Sequence, residues 1–164
     1  MQIKNYLQIL LTSSLWGSSF LMMKYALEEL DAYNISFYRI LIGMIFINIL
    51  NFKKTNFPIR KHFQLSLVGI LWMSFPFYLF AKAEETITSS LAGLINGSTP
   101  IFISLIAVLI FKDTILKKQI IFLFTGFIGI YFVSFGFSNA FEDFNLGAML
   151  ALLASVSYGF AANI

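Results

Sequence analysis

The chain has 164 residues, of which 59% are apolar and only 12% are charged, with a formal net charge of +3. A soluble domain usually carries about 25% charged residues, so this chain lacks the polar surface that a water-soluble fold needs. The composition therefore excludes a soluble globular enzyme, a disordered chain and a nucleic-acid-binding chain. The absence of cysteine excludes disulfides and thiolate metal sites, and the single histidine, His62, cannot form a histidine metal cluster. These features indicate an integral membrane protein.

Six segments are long and apolar enough to cross the roughly 30 Å hydrocarbon core of a bilayer as helices. In chain order they are 6–23, 35–52, 65–81, 91–111, 120–137 and 146–164. The apolar runs are continuous rather than alternating in polarity, which favours helices over membrane-spanning strands. The sequence therefore predicts an all-α transmembrane fold, a polytopic helical bundle.

The loop charges predict how the chain is oriented in the membrane, because Lys and Arg in short loops stay on the cytoplasmic side. With a cytoplasmic N-terminus, most of the basic residues lie inside: Lys4, Lys53, Lys54, Arg60, Lys61, Lys112, Lys117 and Lys118. The acidic residues other than Asp113 lie outside. We therefore expect a multi-pass protein of the inner or plasma membrane, and the same charge imbalance opposes the pairing of two copies in opposite orientations.

The last span is similar to the first at an offset of 142 residues. The aligned pairs include Ser13 with Ser155, Trp16 with Tyr158, and Gly17 with Gly159. Five spans precede the repeat, and because five is odd, a second unit would enter the membrane from the opposite face and form an inverted repeat. We expect one five-helix repeat over residues 5–137 and the first helix of a truncated second repeat over residues 146–164.

Short motifs follow one another in a fixed order along the first five spans. They are Leu15-Trp16-Gly17-Ser18-Ser19-Phe20, Tyr38-Arg39, Ser90-Leu91-Ala92-Gly93-Leu94-Ile95, Thr99-Pro100-Ile101-Phe102, and a fifth helix with Gly126 and Gly129. Together they resemble the EamA-type domain of the drug/metabolite transporter superfamily, with Asp113 where that family usually has Glu. The resemblance implies a ten-helix carrier for small metabolites, often an exporter, of which this chain is expected to be the N-terminal half.

Polar and aromatic residues inside the spans are candidates for a substrate site. Ser13 and Trp16 share one face of the first span, where they could line a cavity or fill a gap in helix packing. In the fourth span, Pro100 cannot donate to the carbonyl of Asn96, so a kink is expected there. The freed carbonyl, the Asn96 amide and the Thr99 hydroxyl could bind a substrate, or the kink could be satisfied locally.

Three further residues belong to the candidate set. Trp72 in the third span could form an apolar wall of the substrate path or pack as core, and Tyr158 is the counterpart of Trp16 in the last span. Arg39 is the one ionisable residue well inside a predicted span, so it faces a cavity as an anion-binding or gating group or reaches the lipid headgroups as a structural charge. The apolar parts of the predicted spans hold no Asp or Glu, which disfavours exchange of a cation for a proton and favours a neutral, zwitterionic or anionic substrate.

The sequence has no nucleophile–base pair, no phosphate-binding loop and no metal-ligand spacing, so we expect neither an enzyme nor a cofactor. We predict a carrier that exports small metabolites by alternating access, with a cavity lined by the first, third, fourth and sixth spans. The expected partners are the lipid bilayer, a small-molecule metabolite, and a missing second repeat or another membrane chain, with no nucleic acid. The alternative is a non-transporting membrane subunit or truncated remnant that packs against another membrane protein.

Overall fold

The computed structural model describes residues 3–50, 58–114, 116–135 and 145–164, and the regular elements in these ranges are helices. The α-helices are α1 (Ile3–Ala26), α2 (Ala32–Leu50), α3 (Ile59–Gly69), α4 (Phe75–Glu84), α5 (Ser89–Gly97), α6 (Thr99–Leu109), α7 (Lys117–Phe135) and α8 (Leu146–Asn163). A π-helical turn, Ile70–Ser74, joins α3 to α4. The predicted all-α fold is confirmed.

Four helical runs of the described chain are long and apolar enough to cross a membrane: Ala32–Leu50, Lys61–Glu84, Ser89–Leu109 and Leu146–Asn163. They correspond to the second, third, fourth and sixth predicted spans. The first and fifth predicted spans are also helical, since α1 has 24 residues and α7 has 19. The predicted ends of the second and fifth spans, at residues 52 and 137, lie outside the described residues.

Prolines interrupt two of the spans. The π-helical turn Ile70–Ser74 ends two residues before Pro76, which has no backbone N–H to continue the helix. The fourth span breaks between α5 and α6 at Ser98, which is followed by Thr99 and Pro100. The kink predicted at Pro100 is therefore present, and the Ser98 hydroxyl donates a 2.6 Å hydrogen bond to the carbonyl of Ile95.

The centre of the bundle is α8. This helix packs against α4, α5 and α6, while α2 packs on α4, α1 packs on α4 and α5, and α7 packs on α5 and α6. Ala148, Ala151 and Ala154 on α8 are completely buried, and small side chains of this kind let helix backbones approach closely. One such close approach is at Gly159, where an added Cβ would lie 2.6 Å from Ile106 Cδ1.

The first turn of α8 is fixed to the preceding helices by Asn145. The Oδ1 atom of Asn145 accepts hydrogen bonds from the backbone N–H groups of Gly147 at 2.9 Å and Ala148 at 3.3 Å, which caps the helix. The Nδ2 atom of the same amide donates a 3.1 Å hydrogen bond to the carbonyl of Thr86, between α4 and α5. This one side chain therefore sets where α8 begins relative to the end of α4.

Candidate functional site

The main candidate site is a cavity of about 320 Å³ between α1, α2, α4, α5 and α8. It is lined by Thr12, Leu15, Trp16, Ser19, Phe20, Arg39, Phe77, Phe80, Asn96 and Tyr158. Half of the lining residues are aromatic, and a few polar groups lie among them, which is typical of small-molecule sites. Four of the residues singled out from the sequence meet here, namely Trp16, Arg39, Asn96 and Tyr158.

A second cavity of about 240 Å³ shares three residues with the first, Trp16, Asn96 and Tyr158. Its remaining lining is Trp72, Gly97, Thr99 and Pro100. Because the same three side chains line both cavities, the two spaces adjoin around them. Together the two cavities contain every predicted site residue except Ser13.

Aromatic contacts hold Tyr158 between the walls of these cavities. Its ring lies 5.5 Å from the Trp72 ring, centroid to centroid, in an edge-on arrangement, and 6.2 Å from the Phe80 ring in a stacked one. Phe80 in turn packs edge-on against Phe20 at 5.4 Å. Such pairs contribute about 0.5–1.5 kcal/mol each beyond the burial of area, so they stiffen the aromatic wall.

Arg39 lies on the wall of the main cavity. Its guanidinium carbon is 4.3 Å from the centroid of the Phe77 ring, which is a cation–π contact, and Nη1 donates to the Met23 sulfur at 3.2 Å. In the described part of the chain, no carboxylate lies within salt-bridge distance of this group. The remaining guanidinium donors are therefore available to an anionic ligand.

Two polar side chains of the fourth span have no hydrogen-bond partner among the described residues. Among the described residues, the Asn96 side chain has no hydrogen-bond partner, although it lines both cavities. The hydroxyl oxygen of Thr99 is buried and likewise has no partner within that part of the chain. Buried polar groups normally have partners, so the Thr99 hydroxyl is a candidate to bind a polar ligand. The half-buried Asn96 amide is a second candidate because it lines both cavities.

Comparison with known proteins identifies the type of molecule. The sequence matches the EamA-like transporter family over residues 3–135. This chain belongs to the EamA-like transporter family. The all-helical fold of the described residues agrees with that membership.

Two curated relatives extend this comparison of the EamA-like chain. It is 26% identical to an uncharacterized transporter of Archaeoglobus fulgidus over 93% of its own length and 46% of the relative's length. It is 27% identical to an uncharacterized transporter of Haemophilus influenzae over 94% of its own length and 54% of the relative's length. The chain thus spans about half the length of the curated relatives it matches. No solved structure matches it.

Ser13 of the EamA-like unit lies apart from the two cavities. Its hydroxyl donates to the carbonyls of Ile9 at 2.7 Å and Leu10 at 3.1 Å on its own helix. The side chain is on the exposed part of α1, in a groove with Gln8. The structure therefore places it beside Trp16, which also lines this groove, but does not bring it together with Asn96 and Tyr158.

Glu84 is a residue of the EamA-like unit that the sequence analysis missed, since it assigned this glutamate to an outer loop. It is the last residue of α4 and is completely buried, and its two carboxylate oxygens have no hydrogen-bond partner in the described residues. The ammonium group of Lys24 donates to the backbone carbonyls of Glu84 and Ile87, the latter at 3.0 Å. The available signal was helical spacing, because Glu84 follows Phe80 by four residues and so continues its buried face.

Proposed function

We propose that this chain is the substrate-binding half of a membrane carrier that exports small metabolites by alternating access. The observation that carries the proposal is the pair of adjoining cavities around Trp16, Asn96 and Tyr158. Their aromatic walls offer apolar contact, and Asn96 and Arg39 offer directional polar contact. A small organic molecule with one polar or anionic end fits such a lining.

The relation between Trp16 and Tyr158 supports an inverted repeat around this site. These two residues are counterparts in the 142-residue offset that relates the first and last spans, and both line both cavities. In carriers built from inverted repeats, the substrate site lies near the membrane midplane where the repeats meet. We propose that a second repeat, in a longer protein or in another membrane chain, completes the site next to Trp16, which is 50% exposed.

The proposed carrier lies in the inner or plasma membrane with a cytoplasmic N-terminus, as the distribution of Lys and Arg favours. Reporter fusions test this orientation directly. A reporter fused near residue 56 is expected to give a cytoplasmic signal, and one fused near residue 85 an external signal. The reverse pattern would contradict the orientation.

Efflux from bacteria that express this chain together with the proposed second repeat tests the carrier function. Metabolites released into the medium are compared with those from an empty-vector strain. Trp16→Ala and Asn96→Ala are each expected to lower the release of the exported compound at least roughly tenfold, which corresponds to a loss of about 1.4 kcal/mol of binding free energy. Tyr25→Ala is the matched control for the first variant, because this aromatic residue is 65% exposed on the same helix. Asn48→Ala is the control for the second, because its amide bonds the carbonyl of Met44 away from the cavities.

The outcome distinguishes between the two functions that the sequence analysis considered, a carrier and a non-transporting membrane subunit. Selective loss of efflux in the Trp16 and Asn96 variants supports a carrier. Unchanged release in both variants contradicts the proposed site, and no released compound in the expressing strain favours a non-transporting subunit.

A further inference from the structure

One exposed face of α1 corresponds to the buried face of α8. The 142-residue offset between the first and last spans pairs each residue of this α1 face with a residue that α8 buries inside the bundle. The pairs are Asn5 with Gly147, Ile9 with Ala151, Thr12 with Ala154, Ser13 with Ser155, Trp16 with Tyr158 and Gly17 with Gly159. The α8 members are buried, whereas the α1 members are exposed. In the described chain, therefore, only the α8 face is covered.

The α1 face is too polar to lie against lipid. Five of its residues line a groove together with Gln8, so amide and hydroxyl groups are exposed along a predicted span. Polar side chains on membrane helices normally hydrogen-bond to another helix. The buried residues of α1 are Phe20 and Met23, near its carboxyl end, whereas residues 3–17 are exposed. The first two thirds of α1 therefore need a partner helix.

The paired serines show one contact that this partner must supply. On α8, the hydroxyl of Ser155 donates a 3.2 Å hydrogen bond to the carbonyl of Ile95 on α5. Its counterpart Ser13 donates to the carbonyls of Ile9 and Leu10 on its own helix. The α1 face thus has the same donor as the α8 face, without the neighbouring helix that accepts from it.

The paired glycines show a second such contact. Gly159 lets α6 approach α8 so closely that an added Cβ would lie 3.2 Å from the backbone of Phe102. Its counterpart Gly17 has open space, since an added Cβ there meets nothing within 4 Å. The α1 face therefore has a small residue at the position where α8 meets another helix, and that position is empty.

We propose that α1 packs into a second EamA-like repeat in the same way that α8 packs into the first, so that the two repeats exchange their first helices; this rests on the inverted repeat in the proposed carrier function. In that repeat α8 is the first helix of the second unit, yet it packs at the centre of the helices of the first unit. A two-fold axis that relates the repeats gives α1 the equivalent contacts in the second unit. The partner surface is formed by the second-repeat helices equivalent to α4, α5 and α6.

A second copy of this chain does not offer that surface. In each copy the surface on α4, α5 and α6 is covered by the copy's own α8, so α1 of a neighbouring copy finds no room there. The curated relatives, in contrast, are long enough to hold a second repeat, because this chain covers 46% of one and 54% of the other. The occupant of the α1 face is therefore a second repeat rather than a second copy.

Photocrosslinking in membranes that contain this chain together with the proposed second repeat tests the exchange. A photoreactive diazirine amino acid replaces Ile9 or Thr12, whose α8 counterparts are completely buried. Leu7 and Leu11 are the matched controls, because they are as exposed as Ile9 in this chain but correspond to Met149 and Leu153, which stay 58% and 47% exposed on α8. The yield of adducts with the second repeat should be several-fold higher from positions 9 and 12 than from positions 7 and 11.

Mass spectrometry of the adducts identifies the occupant of the α1 face. Peptides from the second-repeat span equivalent to residues 89–109 support the exchange. Equal yields at the four positions overturn it, as do adducts formed only with lipid or with a second copy of this chain.

Gly17→Leu provides an independent measurement. Because the space around Gly17 is open in the chain alone, this variant should leave the thermal unfolding temperature of the chain alone unchanged, while the adduct yield from position 9 should fall several-fold. Gly126→Leu, also at a glycine with open space but on α7, should leave the yield unchanged. An undiminished yield in Gly17→Leu overturns the close approach and with it the exchange.

Failure of the exchange is distinguishable from failure of the carrier function. Equal adduct yields, combined with a selective loss of efflux in the Trp16 and Asn96 variants, would refute the exchange and leave the carrier function supported. Adducts with the second repeat, combined with no released compound, would support the exchange and contradict the carrier function.

Discussion

The hydroxyl of Ser157 donates a 2.8 Å hydrogen bond to the carbonyl of Leu71, 86 residues earlier in the chain. Leu71 lies in the π-helical turn, where the Phe75 N–H that would bond the Leu71 carbonyl in a regular helix bonds the Ile70 carbonyl instead. A serine on α8 therefore satisfies a carbonyl that the π-helical turn leaves open in the third span. The bond connects the irregular part of this span to the centre of the bundle.

Ser157→Ala tests the importance of this bond. We expect the free energy of unfolding to fall by about 1–2 kcal/mol, because the Leu71 carbonyl would lose a partner in an apolar setting. Unfolding of the detergent-solubilised chain by heat or SDS measures the effect. Ser104→Ala is the control, since that exposed hydroxyl bonds only the Pro100 carbonyl on its own helix, and an equal loss in both variants would contradict the assignment.

Gly159→Ala should disturb the contact between α6 and α8. The added methyl group would lie 2.6 Å from Ile106 Cδ1 and 3.2 Å from the Phe102 backbone, so α8 must shift. We expect a destabilisation of about 1–3 kcal/mol, the usual range for overpacking, together with weaker substrate binding because the neighbouring Tyr158 moves. Gly126→Ala should be tolerated, since an added Cβ there meets nothing within 4 Å. Equal stability of the two variants in thermal unfolding would rule out the close contact.

Thr99→Val separates binding from structure at the fourth span. Because the Thr99 hydroxyl is buried with no partner in the described chain, its replacement by an isosteric methyl should leave stability unchanged or raise it by up to about 1 kcal/mol. Efflux of the exported compound should nevertheless fall if this hydroxyl binds substrate. Ser98→Ala is the structural comparison and should lower stability, because its hydroxyl bonds the Ile95 carbonyl. Full efflux in Thr99→Val would remove this residue from the site.

Lys112→Gly should stabilise the chain. Lys112 has a φ angle of 57°, in the left-handed region that glycine adopts without strain. The turn is held by a 2.9 Å hydrogen bond from the Asp113 N–H to the Ala107 carbonyl after α6. We expect a gain of about 1 kcal/mol in the free energy of unfolding. Lys112→Ala removes the same side chain but keeps the Cβ, so a comparable gain in that variant would point to a side-chain effect instead.

Features that depend on nearby residues could be predicted from the sequence. The helices follow from long apolar runs, and the break at Ser98 follows from Pro100. Arg39 was identified because a charge inside a span needs a polar or aromatic contact, although both a cavity and the headgroups could have supplied one. Its contact with Phe77 depends on how α2 and α4 pack.

Features that depend on distant packing could not be predicted in the same way. A glutamate that follows an apolar run is typical of a loop, and the burial of Glu84 arises where α4 packs against the neighbouring helices. Ser13 and Trp16 share a helical face and line one groove, as their spacing predicts, but only the larger Trp16 side chain also lines the two cavities. The bond from Ser157 to the π-helical turn likewise joins residues 86 positions apart.

The central position of α8 has a consequence for biosynthesis. The family match ends at residue 135, yet Ala148, Ala151 and Ala154 fill the space beside α4, α5 and α6. During translation, the first five spans are synthesised before α8, so their inner faces at first lack the helix against which they pack. Insertion of the sixth span is then the step that completes the packing beside α4, α5 and α6. A nascent chain whose synthesis stalls before residue 146 should lack this packing and be degraded by quality-control proteases.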